Sequence, residues 1–454
     1  MEIYNTLSRK KENFPSPDEQ KKIRLFVCGP TVYDDAHVGH ARTYLFFDFF
    51  ASYLRSLGYA VNYLQNITDI DDKIIARAAE RNMAPADLAQ QFSDSYKDDM
   101  RALGVDAVTT YAPATDFISQ IAAQVERLID KGFAYKIDGD GWYFDIAKDE
   151  DYGKLSGRTA AQAEDGVSRI DDSDAKRNRG DFCLWKFSKP NEPVWQTSLG
   201  PGRPGWHIED TAISEYYFGP QYDVHGGADD LKFPHHEAEL AQQESASGLK
   251  PFVRWWMHTG FLLVNGKKMA KSAGNFVTIK EFLRTQPPEV LRWIMLAHHY
   301  RSPVDFSETL VAQARAALGN LYERFAILSD GGIADDGPDV EVWRDRFHAS
   351  LGDDLNTPQA LAVVFDLLKT EGLSPSGKRR LILEFDAVLK LGIAAHAADM
   401  QDIPPEISEK LKRYEQFRID KQFVQSDALR KEIESLGYEV RDTAEGSRVA
   451  KKAL

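Results

Sequence analysis

The chain has 454 residues, 43 % of them hydrophobic and 28 % charged, with a formal net charge of −14. That length exceeds one ordinary core, and the balance is that of a multidomain globular protein, which excludes fibrous, disordered and membrane-spanning classes. The two cysteines, Cys28 and Cys183, are too few for a disulfide framework and fit a reducing compartment.

No apolar run reaches membrane-spanning length, and Met1-Glu2-Ile3-Tyr4-Asn5 lacks the basic-then-apolar pattern of a signal peptide. A cytoplasmic protein without membrane contact is expected. The negative charge argues mildly against a nucleic-acid partner, although the tail from residue 401 is close to neutral and could hold a polyanion through local basic patches.

In chain order, Ile23 to Val27 reads as a short strand that enters Cys28-Gly29-Pro30. His37-Val38-Gly39-His40 then opens a helix carrying Leu45, Phe46, Phe49, Phe50, Tyr53 and Leu54 and stopping at Gly58; Val61 to Ile67 is the next strand. This is a βαβ unit of a doubly wound sheet, whose ligands sit at the carboxyl ends of strands, and Cys28, His37, His40 and Thr68 would fall on that edge. Between Phe117 and Pro201 the texture changes to a helix ending at Lys131-Gly132, a hairpin at Asp138-Gly139-Asp140-Gly141 and a polar stretch from Ala160 to Arg179. We read an insertion there. Tyr222 to Gly227 looks like a returning strand, and Pro234-His235-His236-Glu237 starts a helix. Phe261 to Val264 with Asn265-Gly266 signals a hairpin delivering Lys268 and Lys271 on its tip. After Val304 the apolar spacing turns helical, interrupted by a linker from Ser329 to Asp339, and Thr357-Pro358 opens a further helix. The tail from Pro404 is expected to be a small helical appendage.

Two motifs carry chemistry. His37-Val38-Gly39-His40 puts imidazoles and a side-chain-free residue at a helix N-terminus, where unpaired N–H groups and the helix dipole favour phosphate. Lys268-Met269-Ala270-Lys271-Ser272 adds two ammonium groups. Alone, the first is commonly an ordinary loop and the second a solvated face. In this order, each behind its strand or hairpin, they describe a nucleoside triphosphate gripped from two sides. His235 and Glu239, four apart, face the same way on a helix and can share an ion, with Cys28 on the sheet edge facing them; read alone, Cys28 is a small hydrophobe and the pair a solvated one.

These residues resemble the HIGH and KMSKS signatures of class I aminoacyl-tRNA synthetases. Cys28 to Asp34, Asn66 to Lys73, Gly205 to Glu209 and Phe233 to Glu237 are similar to the corresponding stretches of the cysteinyl-tRNA synthetase family, and the likeness runs nearly end to end. It implies an α/β fold, a doubly wound Rossmann-like parallel sheet with an inserted connective domain, followed by a helical bundle and a small C-terminal domain. The divisions are 1–116 and 202–258 for the two halves of the catalytic domain, 117–201 for the insertion, 259–303 for a stem-contact region with the KMSKS-like loop, 304–403 for a tRNA-binding bundle and 404–454 for a small anticodon-binding domain.

The resemblance also implies the activity and its residues. L-cysteine would be activated by ATP, with Mg²⁺, and transferred to tRNA(Cys) by a monomer. His37, His40, Lys268 and Lys271 would be catalytic, and Gly39, His225 and Asp230 would join His37, His40 and Lys271 in binding ATP. Thr68, Trp206 and Cys28 would meet the amino acid; from residue type alone, Trp206 is core packing and Thr68 a strand-end cap. One Zn²⁺ would be held by Cys28, Asp210, His235 and Glu239, with Asp210 standing where the family has a second cysteine. An anionic ligand is kept there, but a harder one. Ala270 replaces the usual serine without removing an ammonium group. Arg413, Arg418, Lys421, Arg430 and Lys431 are candidate phosphate contacts or, taken singly, a solvated helix face. The rival readings are a cysteine ligase acting on a small-molecule amine, as in mycothiol synthesis, and a non-catalytic RNA-binding paralogue.

Overall fold

An N-terminal hairpin of β1 (Glu2–Asn5) and β2 (Lys10–Asn13) leads into β3 (Lys22–Val27), the apolar strand that ends at Cys28. The computed structural model describes residues 1–158, 175–264, 266–269, 276–328, 338–443 and 446–451. After β3 come α1 (Val38–Ser56), β4 (Ala60–Ile67), α2 (Asp72–Glu80), α3 (Pro85–Ala102) and β5 (Thr110–Pro113). Next, α4 (Ile118–Asp130) precedes an antiparallel sheet of β6 (Ala134–Ile137), β7 (Gly141–Phe144), β8 (Phe182–Phe187) and β9 (Gly202–Pro204). The chain then returns through α5 (Ile208–Phe218), β10 (Tyr222–Ala228), α6 (His235–Ser247) and β11 (Val253–Thr259).

The five parallel strands stand in the order β11-β10-β3-β4-β5. From β3 the chain winds outward through β4 and β5, then comes back to the other side of β3 as β10. The junction of β3 and β10 is therefore the switch point, where an open parallel sheet leaves a crevice at its carboxyl edge. Phe26, His225 and Trp256 lie abreast on β3, β10 and β11 and share one face of the sheet. Helices α4, α5 and α6 cover that face, and Val125, Ile208 and Ala238 join Phe26, Cys28 and Trp256 in one buried core. Phe144, Phe182 and Trp185 of the inserted sheet enter the same core, so the insertion is built onto the parallel sheet. On the opposite face α1 presses so close that a Cβ on Gly226 would lie 2.2 Å from the Phe47 ring.

Beyond β11 the hairpin of β12 (Leu262–Val264) and β13 (Lys267–Lys268) forms as its Asn-Gly turn predicts, and β14 (Val304–Phe306) pairs with β12. Two compact units result: Met1–Thr285 with His298–Phe306 and Gly352–Asn356, and Gln286–Ala297 with Ser307–Leu351 and Thr357–Leu454. The second unit is helical for most of its length, but its end departs from the expected all-helical appendage. Pro405–Ile419 and Phe423–Ser435 are helices, whereas Tyr438–Thr443 and Gly446–Lys451 pair as an antiparallel hairpin. Val440 is fully buried with Tyr414 and Ile433, and that local apolar face favours strand over helix. Arg413, Arg418, Lys421 and Lys431 of this tail are exposed. Arg430 is held by Glu434 at 3.0 Å and the Val440 carbonyl at 3.0 Å.

Candidate functional site

At the switch point the first residue after β3, Cys28, meets β10 and α6. Its amide donates to the Gly226 carbonyl at 3.1 Å, which continues the ladder and fixes the thiol against the sheet edge. Sγ lies 3.0 Å from Asp210 Oδ2, 3.3 Å from His225 Nε2, 3.1 Å from His236 Nε2 and 3.7 Å from Glu239 Oε1. His235 Nε2 is 3.2 Å from Asp210 Oδ2 and 3.1 Å from Glu239 Oε1. The predicted quartet Cys28, Asp210, His235 and Glu239 is thus assembled, with its four ligand atoms within 4.8 Å of one another. Cys28, His225, His236 and Glu239 form a second quartet by the same measure.

This concentration of acid is buried, and its protons are displaced accordingly. Burial, with Glu239 and Asp210 beside it, pushes the Cys28 thiol well above its ordinary range. Glu239 is driven up by burial and then by Asp210, and Glu209 by the same two causes. Burial pulls His207, His225, His236 and His258 down, so these imidazoles are neutral and able to donate lone pairs. Glu239 Oε2 is buried without a hydrogen-bond partner. A polar atom orphaned among thiol, carboxylate and imidazole groups is what a cation would satisfy, so the donor set fits a divalent metal. Its binding would displace the protons that burial retains.

Around this cluster stand two residues to which the sequence reading assigned no role, Asn66 and His207, together with Trp206 and Thr68, to which it did. Asn66, near the end of β4, accepts from the Gly29 amide at 2.6 Å and donates through Nδ2 to Asp210 Oδ1 at 2.5 Å. It thereby turns Asp210 Oδ2 toward Cys28. His207 Nδ1 and His235 Nδ1 are 2.7 Å apart, and the Trp206 ring stacks on His235 at 4.3 Å. Thr68 Oγ1 donates to Glu209 Oε1 at 2.5 Å. The strand-end threonine and the tryptophan are therefore part of the cluster's wall.

On the same edge the HxGH turn caps α1. The His40 amide donates to His37 Nδ1 and the His37 amide to His40 Nδ1, each at 3.3 Å, and the two rings stack at 3.8 Å. Both Nδ1 atoms act as acceptors, so a neutral ring carries its proton on Nε2. The atoms packed around His40 pull it down to about 4, and it stays neutral at physiological pH. A Cβ on Gly39 would lie 2.8 Å from the His37 ring and 3.5 Å from Met269. Past the KMSKS-like segment, the Val38 amide donates to the Val277 carbonyl at 3.1 Å, and the Phe276 ring is 5.1 Å from His37. Met269 of that segment and the residues that follow it, Phe276 and Val277, thus lie against the HxGH turn. Lys268 ends β13, and Lys271 lies outside the described residues. Asp230 is exposed in the turn Asp229–Lys232 after β10. His225, which the sequence reading grouped with ATP, is fully buried, with Nε2 against Cys28 and Glu239.

The family model described as tRNA synthetases class I (C) catalytic domain matches residues 14–316, and that of the DALR domain matches 346–370. A cysteine–tRNA ligase of Hydrogenovibrio crunogenus is 42 % identical over 98 % of this chain and 98 % of its own. One from Methanococcus maripaludis is 38 % identical over 100 % and 99 %. Among solved structures, Mycobacterium tuberculosis methionyl-tRNA synthetase in complex with methionyl-adenylate aligns with a TM-score of 0.59 over 86 % of this chain and 93 % of that one. At 17 % identity, that likeness speaks to the fold.

Proposed function

The chain belongs to the class I tRNA synthetases of the cysteine type, the family of the cysteine–tRNA ligases, and from that premise we propose that it activates L-cysteine with ATP and transfers it to tRNA(Cys). The carboxylate of cysteine attacks the α-phosphorus, forming the adenylate and expelling pyrophosphate; the terminal ribose hydroxyl of tRNA then attacks the acyl carbon and releases AMP. Such chemistry rests on positioning and charge neutralisation rather than on a protein nucleophile. The carrying observation is that the Cys28 cluster and the HxGH turn share one sheet edge, Cys28 and His37 both lying on the segment between β3 and α1.

His37 and His40 donate from Nε2 to phosphate oxygens, and Gly39 gives the nucleotide room beside them. Lys268 and Lys271 neutralise the departing pyrophosphate, and Mg²⁺ accompanies ATP. Asp230 contacts the adenylate. Thr68 and Trp206 border the amino acid, the tryptophan also holding the His235 ring in place. Cys28, Asp210, His235 and Glu239 would hold zinc when the amino acid is taken up. When bound, zinc takes a thiol as thiolate ligand, which serine's hydroxyl does not match.

Cysteine-dependent ATP/pyrophosphate exchange on protein of known metal content tests this reading, with serine as control. Exchange with cysteine that disappears on chelation and returns with zinc is expected. Exchange that survives complete metal removal would overturn the role of the cluster, and none in folded, zinc-loaded protein would overturn the activity.

A further inference from the structure

Cys28 and Glu239 belong to two buried quartets at once. We propose that the ion has two seats, an outer one made with Asp210 and His235 and an inner one made with His225 and His236, and that the substrate-free protein holds it in the inner seat. The inference rests on the metal-holding reading of the cluster, and it assigns His225 and His236 as zinc ligands.

The spacings suit a tetrahedral ion. Zinc bonds of about 2.0–2.3 Å put neighbouring ligand atoms roughly 3.3–3.8 Å apart. In the inner seat Cys28 Sγ is 3.3 Å from His225 Nε2, 3.1 Å from His236 Nε2 and 3.7 Å from Glu239 Oε1. His225 Nε2 is 3.4 Å from Glu239 Oε2, the buried oxygen without a hydrogen-bond partner. A cation between them would give that oxygen its contact.

Donor chemistry favours the same seat. One thiolate, one carboxylate and two neutral imidazoles neutralise Zn²⁺, whereas the outer seat adds a third anion and offers only one imidazole. Its hard carboxylate replaces the second sulfur that the family pattern has at Asp210, so this chain's outer seat is the poorer one for zinc.

Both inner imidazoles are oriented from behind, as metal-bound histidines are. His225 Nδ1 lies 2.5 Å from the Tyr222 hydroxyl, and Trp256 stacks on the ring at 4.4 Å. His236 Nδ1 lies 2.8 Å from His258 Nε2, and His258 Nδ1 lies 2.8 Å from Thr6 Oγ1. With protons on Nδ1 throughout, His225 donates to Tyr222, His236 to His258 and His258 to Thr6. Both Nε2 lone pairs then point at the Cys28 sulfur. Gly227 makes room for this arrangement, since a Cβ there would lie 2.7 Å from the His236 ring. Cysteine entering from the side of Asp210 and His235 would draw the ion outward, with Cys28 and Glu239 as the pivots.

X-ray absorption of the zinc-loaded full chain reads the two seats directly. Zinc alone should show one sulfur and two imidazoles; L-cysteine should add a second sulfur and remove one imidazole. One imidazole before cysteine is added would overturn the inner seat, and so would two that persist with cysteine's sulfur bound. No zinc retained by folded protein would sink the metal reading itself. Cobalt substitution adds a second readout. His236→Asn and Gly227→Ala should each change the substrate-free visible spectrum and weaken Co²⁺ binding about 10- to 100-fold. Asp210→Asn should leave that spectrum alone and change it only once cysteine is present. The reverse pattern would put the resting ion in the outer seat.

Discussion

Asp354 and Glu239 are both carboxylates with almost no exposure, yet their surroundings are opposite. Asp354 Oδ1 accepts from the Tyr4 amide and the Tyr300 hydroxyl, each at 2.8 Å, and Oδ2 from Arg301 Nε at 2.8 Å. Glu239 has a thiol, a second carboxylate and imidazoles around it, and one oxygen without a hydrogen bond. Burying a carboxylate is costly, and a structural site answers that cost with protein donors. A site that withholds them, while gathering sulfur and nitrogen lone pairs, is arranged for a cation. The difference separates a scaffold carboxylate from a ligand more sharply than burial, which they share.

The contrast breaks most visibly in stability. Asp354→Ala leaves the Tyr4 amide, the Tyr300 hydroxyl and the Arg301 guanidinium without their acceptor, and should destabilise the metal-free protein by about 3 kcal/mol. Glu239→Gln in the same metal-free protein should cost under about 1 kcal/mol or even stabilise at neutral pH, because folding no longer has to take up the proton that burial demands. Zinc reverses the second result. Wild type gains about 2.7 kcal/mol at a zinc concentration 100 times the dissociation constant, and Glu239→Gln gains less. Denaturation of both variants with and without zinc gives the comparison. Equal losses from the two substitutions in metal-free protein would erase the distinction.

Asp210 lies between these extremes, since Asn66 satisfies one of its oxygens and leaves the other to the cluster. Asn66→Ala frees that carboxylate to turn away. If Asp210 serves mainly when cysteine is bound, KM for L-cysteine should rise about 10- to 100-fold while resting zinc affinity and KM for ATP hold. An equal loss in resting zinc affinity would make Asp210 a ligand at all times.

Part of this was legible in the sequence. The strand, turn and helix from Ile23 to Ser56 follow from apolar spacing and a stop at Gly58, and the rule for parallel sheets then places Cys28, His37, His40 and Thr68 on one edge. The i, i+4 pair His235 and Glu239 follows from helical geometry. His236 does not, because its ring points elsewhere from the helix than its neighbour's. Every residue of α6 from His235 to Ala246 is nonetheless buried, which no amphipathic pattern announces. His225 depends on the register of β10 against β3, and Asn66 on a partner 144 residues away. The usable signal was His225-Gly226-Gly227, where two residues without side chains after a strand imidazole mark close approach on both faces. Lys271 stays a reading from sequence.

A carboxylate whose donor can be switched off by pH sharpens the contrast a last time, with the smallest effect. In the second unit Glu289 Oε1 lies 3.4 Å from His396 Nε2, while Tyr322 stacks on the His396 ring at 4.7 Å. The Glu289 contact raises His396 above its ordinary value; for Glu289 desolvation pushes upward, but the hydrogen bonds from His396 and from its own backbone, with the charges of His396 and Arg292, together leave it below its ordinary value. For a group raised on folding, the stabilisation is complete below the unfolded histidine value of about 6.5 and fades as pH climbs through the folded value. For Glu289, lowered on folding, it is present above the unfolded carboxylate value of about 4.3 and is lost as pH falls through the folded one. The pair thus contributes most between those two values. His396→Gln should cost up to about 1 kcal/mol near pH 6 and less at pH 8.5, where the wild-type imidazole is neutral as well. A difference in unfolding midpoint that stays constant across that range would assign the His396 contribution to its stacking on Tyr322. Glu289, which is partly exposed, would then owe nothing to His396, and the pair would drop out of the contrast between Asp354 and Glu239.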